Sequence, residues 1–140
     1  MGGEMNVDLM TQELERDEGV RNKVYFDTRG ISTIGVGRNL RDKGLSDDEV
    51  AYLLKNDIAE CATSLDNALP WWRDMSEVRQ RVLLNLRFNL GLNGLLGFVH
   101  TLAYMKARDY ESAAAGMLGS VWATQVGGRA LRLAKMMREG

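Results

Sequence analysis

Two carboxyl groups and one hydroxyl near the start of the chain could do chemistry together. Glu18, Asp27 and Thr33 lie between positions 18 and 33. Cleavage of a glycosidic bond needs a protonated carboxyl group that releases the leaving oxygen, and an ionised one that activates water or attacks the sugar. The local settings of Glu18 and Asp27 predict this contrast.

Glu18 is predicted to end a helix. Val7, Met10 and Leu14 recur at helical spacing, and Gly19 suits the position that follows a helix, so the pattern predicts a helix over residues 7–18. The negative end of the helix dipole disfavours an ionised carboxylate there. Glu18 is therefore the candidate proton donor.

Asp27 is predicted to lie at a turn. The stretch 24–26 and the stretch 31–37, which is rich in β-branched residues and contains two glycines, flank the turn-like residues 28–30, which indicates a hairpin. Free backbone donors in the turn and the nearby cations Lys23 and Arg29 favour an ionised Asp27. On spacing alone, an alternative stays open, in which Glu18, Asp27 and Thr33 are ordinary residues of a helix end, a turn and a strand.

The remaining pattern is helical and predicts an α+β fold that is mainly α. Ser46 and Glu49 form a capping box that begins a long helix running toward Pro70. From Glu77 the chain reads as helical, with shorter helices near 97–107, 110–119 and 128–138. We expect one domain over residues 1–140: a small lobe with a β-hairpin at about 15–60, joined by the long helix to a larger helical lobe at about 61–140, which the N-terminal helix accompanies.

Composition excludes several classes of protein. The 140 residues hold 18 Lys and Arg against 19 Asp and Glu, which gives no reason to expect nucleic-acid binding, and no apolar run is long enough for membrane insertion. With one cysteine, Cys61, and one histidine, His100, neither an internal disulfide nor a structural zinc site is expected, and no cofactor is implied. The first residues lack a signal-peptide pattern, so we expect synthesis in the cytoplasm.

Charge is unevenly distributed along the chain. Residues 1–70 hold 8 basic and 14 acidic residues, a net charge of −6, whereas residues 71–140 hold 10 and 5, a net charge of +5. The basic half is expected to attract an anionic polymer at low salt.

The chain resembles the tailed-phage lysozymes, the muramidases of glycoside hydrolase family 24. Their catalytic stretch is similar to Glu18-Gly19, Tyr25, Asp27-Thr28, Gly30 and residues 33–37 of this sequence. The resemblance extends from Leu14 to Arg138 through Asn85, residues 88–91, Gly94, Gly97-Phe98, Ala113-Ala114, Trp122 and Arg129-Ala130.

The resemblance implies hydrolysis of the β-1,4 bond between N-acetylmuramic acid and N-acetylglucosamine in peptidoglycan. By position, Glu18 is similar to the general acid, Asp27 to the second carboxylate, and Thr33 to the hydroxyl that positions the attacking water. In the family the outcome is usually inversion at the anomeric carbon. The implied biological role is host lysis by a phage or prophage, with the protein a monomer and a separate holin-type partner giving access to the wall.

The resemblance also implies sugar-binding positions at Asn39, Phe88, Thr101 and Arg129. Asn39 replaces a usual aliphatic residue and Thr101 replaces serine, while Gly116 stands where the family has a polar residue. Arg129 falls where the family has an arginine close to the acid. For Phe88, a core aromatic at helical spacing is the alternative, and Trp122 is expected to lie in the core.

Two departures from the family separate this chain from better-known members. Arg38 replaces the usual histidine after the strand, and we expect it to pair with Asp57 on the long helix. Only residues 38–45 separate strand from helix, so the small lobe must be minimal.

Two other functions remain open. A peptidoglycan-binding or phage-tail module could have kept the fold without turnover, and a lytic transglycosylase cleaves the same bond without water. Retention of Glu18, Asp27 and Thr33 together favours hydrolysis.

Overall fold

The computed structural model describes residues 2–140 and confirms an α+β fold that is mainly α. Within these residues, seven α-helices, a short 3-10 helix and one three-stranded sheet follow in order. They are α1 (Val7–Glu18), β1 (Arg21–Phe26), β2 (Ser32–Gly35), β3 (Arg38–Asn39), α2 (Asp47–Ala68), the 3-10 helix (Pro70–Asp74), α3 (Glu77–Leu96), α4 (Val99–Lys106), α5 (Tyr110–Leu118), α6 (Val121–Val126) and α7 (Gly128–Glu139).

The chain divides into two compact units. The first extends to Tyr52 and the second runs from Leu53 to Gly140, so the division falls inside α2 rather than near residue 60, and α1 is grouped with the first unit.

The first unit begins with the predicted helix. Asn6 caps α1, because its side-chain oxygen accepts a hydrogen bond from the backbone N–H of Leu9 at 3.0 Å. The helix ends at Glu18, as predicted, because Gly19 takes a φ of +78° and its N–H donates to the carbonyl of Glu15.

The predicted hairpin is confirmed and carries one further strand. β1 pairs antiparallel with β2, and β2 pairs antiparallel with β3. Thr33 lies on the middle strand, opposite Tyr25 on one side and Asn39 on the other. β3 was missed because two residues are too few to show a period-2 pattern.

A capping box begins α2, as predicted. The backbone N–H of Ser46 donates to Glu49 Oε1 at 2.8 Å, and the N–H of Glu49 donates to Ser46 Oγ at 3.2 Å.

The second unit is built around α3. Val82, Leu83 and Leu86 are buried on this helix. The core that surrounds it also contains Leu65, Leu69, Trp72, Met75, Leu95, Leu102, Met105, Ala113, Met117, Trp122, Ala130, Leu133 and Met137.

Trp122 lies in the core, as predicted. Its indole N–H donates to Asn89 Oδ1 at 2.7 Å, so the polar end of the ring is satisfied inside the unit. α6, on which Trp122 lies, was not predicted as a separate element. It is short, and Gly127, with a φ of +56°, ends it directly before α7.

No single helix in the described part of the chain is both long and apolar enough to cross a membrane; α3 and α4 reach that composition only as a pair bent by 109°.

Candidate active site

Glu18 lies at the last position of α1 and is exposed to solvent. Its carboxyl group lies against Gly37, which follows β2: a Cβ at position 37 would lie 3.0 Å from Glu18 Oε2 and 3.2 Å from Cδ. Gly37 also has a φ of +65°, which residues with a side chain rarely adopt. Glycine at this position therefore leaves room for the Glu18 carboxyl group.

Asp27 is held by the turn between β1 and β2. Its Oδ1 accepts hydrogen bonds from the backbone N–H groups of Arg29 at 2.8 Å and Ile31 at 2.9 Å. The bond from Ile31 is the main reason that the pKa of Asp27 lies below its usual value, with help from the Arg29 backbone and from the charges of Arg29 and Arg41. The turn supplies the backbone donors expected from the sequence.

Ile31 connects Asp27 to Thr33. Its N–H donates to Asp27 Oδ1, and its carbonyl oxygen accepts from the Asp27 N–H at 3.0 Å and from Thr33 Oγ1 at 2.8 Å. Thr33 is only 3% exposed. The structure thus brings Asp27 and Thr33 together through one backbone unit, which sequence reasoning missed because Ile31 gives no sign of it beyond following the turn.

Asn39 is engaged with its own loop. Its side-chain oxygen accepts from the backbone N–H of Asp42 at 2.9 Å, and its amide nitrogen donates to Asp42 Oδ2 at 3.0 Å. Asn39 lies beside Thr33 in the sheet, and this exchange fixes the loop that follows β3.

Arg38 has a different partner from the one predicted. Its guanidinium binds Glu49 at 2.7 and 2.8 Å and also donates to the carbonyl of Gly44 at 3.2 Å. The expectation of a pair with Asp57 was wrong, because the capping box turns the Glu49 side chain back toward the loop before α2. The Arg38 hydrogen bond holds the pKa of Glu49 at about 2, and the bonds from Ser46 add to this effect.

Phe88 and Arg129 line one cavity of the second unit. The cavity has a volume of about 700 Å³, and its wall is formed by residues of α2, α3 and α7 together with Trp72 of the 3-10 helix. Phe88 is 45% exposed, so the alternative interpretation of this residue as a core aromatic is wrong. Arg129 donates to Asn85 Oδ1 at 2.6 and 3.1 Å, which makes Asn85 a further polar residue of the cavity.

The charges on this cavity are mainly positive. Arg81, Arg129 and Arg132 line it, against the single carboxylate of Glu77. Apolar side chains of Leu54 and Leu133 form part of its surface, so the cavity combines apolar area with guanidinium donors.

Thr101 is 5% exposed on α4 and packs against Gly116 of α5. A Cβ at position 116 would lie 2.5 Å from Thr101 Oγ1. Threonine at 101 and glycine at 116 are therefore matched to each other: the hydroxyl takes space that a side chain at 116 would need.

Comparison with known proteins shows the family. The model of the phage lysozyme family matches residues 15–138. The endolysin of Salmonella phage P22 is 33% identical over 114 residues, which are 75% of each chain. A probable T4-type lysozyme of Dictyostelium discoideum is 22% identical, with 91% of this chain and 92% of that protein covered.

A larger protein is also similar. The pre-baseplate central spike protein Gp5 of Enterobacteria phage T4 is 29% identical over 94% of this chain, and this chain spans only 28% of its length. The family model covers most of the present sequence and includes Glu18, Asp27 and Thr33. The resemblance seen in the sequence is therefore confirmed: the chain belongs to the phage lysozyme family.

Proposed function

We propose that this chain hydrolyses peptidoglycan at the β-1,4 bond between N-acetylmuramic acid and N-acetylglucosamine. The observation that carries the proposal is the setting of Asp27, whose carboxylate accepts two backbone hydrogen bonds within the stretch that matches the phage lysozyme family. Such bonds stabilise the ionised form. An ionised carboxylate near a second, differently placed carboxyl group is what glycoside hydrolysis requires.

In the proposed mechanism Glu18 is the general acid. It donates its proton to the glycosidic oxygen as the bond to the anomeric carbon breaks, and water attacks from the opposite face of the sugar. Asp27 accepts a proton from that water, and Thr33 positions the water molecule. This single displacement inverts the anomeric configuration and needs room for water, with carboxyl groups about 6.5 to 9.5 Å apart.

The pH dependence of the reaction follows from Asp27. A general base must be ionised, and the pKa of Asp27 is lowered by the backbone hydrogen bond from Ile31. Because the pKa is lowered, the base stays ionised below the pH at which an ordinary aspartate takes up a proton. As the pH is lowered, kcat/KM of the wild type is therefore expected to decrease only below about pH 4.

Four residues are proposed to contact the glycan: Asn39 in the first unit, and Phe88, Thr101 and Arg129 in the second. The exposed ring of Phe88 offers an apolar surface to the faces of sugar rings, and Arg129 offers donors to their oxygens. Thr101 is the most buried of the four.

Clearing of a suspension of purified bacterial cell walls tests the activity. Wild type is compared with Glu18→Gln and Asp27→Asn, and Glu13→Gln serves as the matched control because it removes an exposed carboxyl group from the same helix. We expect each site variant to clear the walls at least about 100-fold more slowly, and the control to match wild type. An inactive wild type, or a fully active Glu18→Gln, would contradict the proposal.

We also propose that the protein acts in host lysis by a phage or prophage, as a monomer made in the host cytoplasm, with a separate holin-type protein opening the membrane. Similarity to a phage endolysin supports this role. Expression in a bacterium should cause lysis only after the membrane is permeabilised, for instance with chloroform. Lysis without permeabilisation would contradict the need for a partner, and a dimer in sedimentation would contradict the monomer.

A second candidate is a phage-tail module that binds peptidoglycan without cutting it. Similarity of 94% of this chain to a segment of a spike protein favours it. Sedimentation with purified cell walls separates the two functions: a tail module binds the walls and releases no fragments, whereas a hydrolase releases soluble muropeptides.

A further inference from the structure

Arg41 lies at the same end of the sheet as Asp27. Phe26 is paired with Ser32, and the backbone N–H of Leu40 donates to the carbonyl of Ser32 at 2.9 Å. Phe26 and Leu40 thus lie on either side of Ser32, and the residues that follow them in the chain are Asp27 and Arg41. The positive charge of Arg41 is one of those that act on the Asp27 carboxylate, after the stronger effect of the Ile31 backbone.

The Arg41 guanidinium is held in place by a neighbouring carboxylate. Nε and Nη2 donate to the two oxygens of Asp42 at 3.2 and 3.3 Å. Asp42 is in turn fixed by Asn39, which accepts from its N–H and donates to its Oδ2. Two successive contacts therefore connect β3 to the guanidinium, so that less side-chain freedom remains to be lost when a ligand binds.

The outer edge of the guanidinium remains available. Asp42 occupies the edge formed by Nε and Nη2, and within residues 2–140 Nη1 has no hydrogen-bond partner. The Arg41 side chain is 59% exposed. A guanidinium has five N–H donors, and its Nη1–Nη2 edge matches the two oxygens of a second carboxylate.

We propose that this outer edge binds a carboxylate of peptidoglycan, which makes Arg41 a specificity-determining residue. The inference rests on the proposed function, since the carboxylate belongs to the substrate. It has two possible sources with one chemistry: the peptide stem, or the lactyl group of a muramic acid that has lost its peptide. The protein is then expected to bind cell walls with free carboxylates more tightly than cell walls in which these groups are amidated.

Soluble glycan strands with peptide stems provide the test, in one form with free carboxylates and in another with the carboxylates coupled to methylamine. Dissociation constants are measured by calorimetry for Arg41→Gln and for the parent chain, both carrying Glu18→Gln so that the strands stay intact. Arg16→Gln is the matched control, because Arg16 also pairs with the next residue, Asp17, on an exposed surface of the first unit. Arg41→Lys keeps the charge and loses the two-pronged geometry.

We expect Arg41→Gln to raise the dissociation constant about three- to tenfold for free-carboxylate strands, with a ratio near one for amidated strands. Arg41→Lys should lie between the parent and Arg41→Gln, and Arg16→Gln should bind like the parent. Strands stripped of peptide by an amidase carry only the lactyl carboxylate and distinguish the sources: the effect disappears there if the stem supplies the carboxylate, and it is seen only there if the lactyl group does.

An equal effect of Arg41→Gln on both strand forms would overturn the inference, because Arg41 would then act through Asp27 or the loop. Absence of an effect on both of these forms and on the stripped strands would overturn it as well. The wild-type chain, which has Glu18, is tested for cutting of the same strands. If it does not cut them, but binding still depends on Arg41 and on the free carboxylate, only the proposed hydrolysis is wrong. Cutting without that dependence removes only the inference, and absence of binding to any strand removes both.

Discussion

Gly37 determines how much room the Glu18 carboxyl group has. The close approach of Oε2 to this position and the positive φ of Gly37 both require a residue without a side chain. The close approach concerns the proposed acid, Glu18, whereas the positive φ concerns only the backbone of Gly37. The two can be separated, because Gly35 also has a positive φ of +69° but no atom within 4 Å of its added Cβ.

We predict that Gly37→Ala lowers kcat at least about tenfold, because the methyl group displaces the Glu18 carboxyl group. Gly35→Ala is the control for backbone strain of about 1 to 2 kcal/mol, and it should lower stability by a similar amount while keeping most of the activity per folded molecule. Thermal unfolding and wall-clearing rates are measured on both. Equal loss of activity in the two variants would count against a special role for Gly37.

Gly116 and Thr101 form a second matched pair of residues. Replacing glycine by alanine inside a helix normally gains about 1 kcal/mol. At position 116 the new methyl group would meet Thr101 Oγ1 at 2.5 Å, and overpacking of a buried site costs about 1 to 3 kcal/mol.

We therefore predict that Gly116→Ala destabilises the wild type but is neutral or stabilising in a Thr101→Ala background. Urea unfolding of the four chains gives the coupling energy, which should favour the double variant by at least about 1 kcal/mol over the sum of the single effects. Additive effects would show that the two residues do not compete for space.

The candidate site was only partly predictable at the residue scale. Backbone donors for Asp27 could be expected, because a turn leaves N–H groups unpaired. The contacts made by the Ile31 backbone, and the position of Gly37 against Glu18, depend on how the strands pair, which residue types alone do not specify. Arg38 was assigned the wrong acid for the same reason, since choosing between Glu49 and Asp57 requires the direction of each side chain.

At the scale of elements, Arg38 connects β3 to the start of α2. Its guanidinium binds Glu49, which also serves the capping box through Ser46. One carboxylate thus fixes both the helix start and the short segment before it. The boundaries of α1 and the start of α2 were predictable because caps and glycines are local signals, whereas β3 and α6 are too short to carry a periodic pattern.

The variant Arg38→His should make stability newly dependent on pH. An imidazolium paired with Glu49 has a folded-state pKa above its unfolded value of about 6.5. Its stabilisation is then complete below about pH 6.5 and is lost as the pH rises through the raised folded-state pKa.

Thermal unfolding of Arg38→His between pH 5 and 8 measures this effect, with Arg38→Gln as the control that has no titratable group. We expect the melting temperature of the histidine variant to fall toward that of the glutamine variant as the pH rises. Parallel curves for the two variants would contradict the pairing of position 38 with Glu49.

At the scale of the whole molecule, the near-neutral charge conceals opposite halves. Residues 1–70 carry a net charge of −6 and residues 71–140 carry +5. Several of the positive groups line the cavity of the second unit, among them Arg81 and Arg132. An anionic wall polymer is therefore expected to approach the second half of the chain more readily at low salt.

Neutralising Arg81 and Arg132 together to glutamine should slow wall clearing several-fold at about 0.02 M salt and have little effect at about 0.3 M, because salt shortens the range of the attraction. Arg21→Gln, in the acidic half, is the control and should not reduce the salt dependence. Clearing rates measured across that salt range test the idea, and a double variant with the salt dependence of wild type would contradict it.

Hydrolysis by Glu18 and Asp27 takes the attacking oxygen from water. Digestion of purified peptidoglycan in ¹⁸O-labelled water, with the new ends analysed by mass spectrometry and NMR, tests this proposal. We predict reducing N-acetylmuramic acid ends that carry ¹⁸O at the anomeric carbon, first in the α configuration, in wild type but not in Glu18→Gln or Asp27→Asn. Anhydro ends without the label would contradict the account and identify a lytic transglycosylase, and the absence of new ends would leave a binding module.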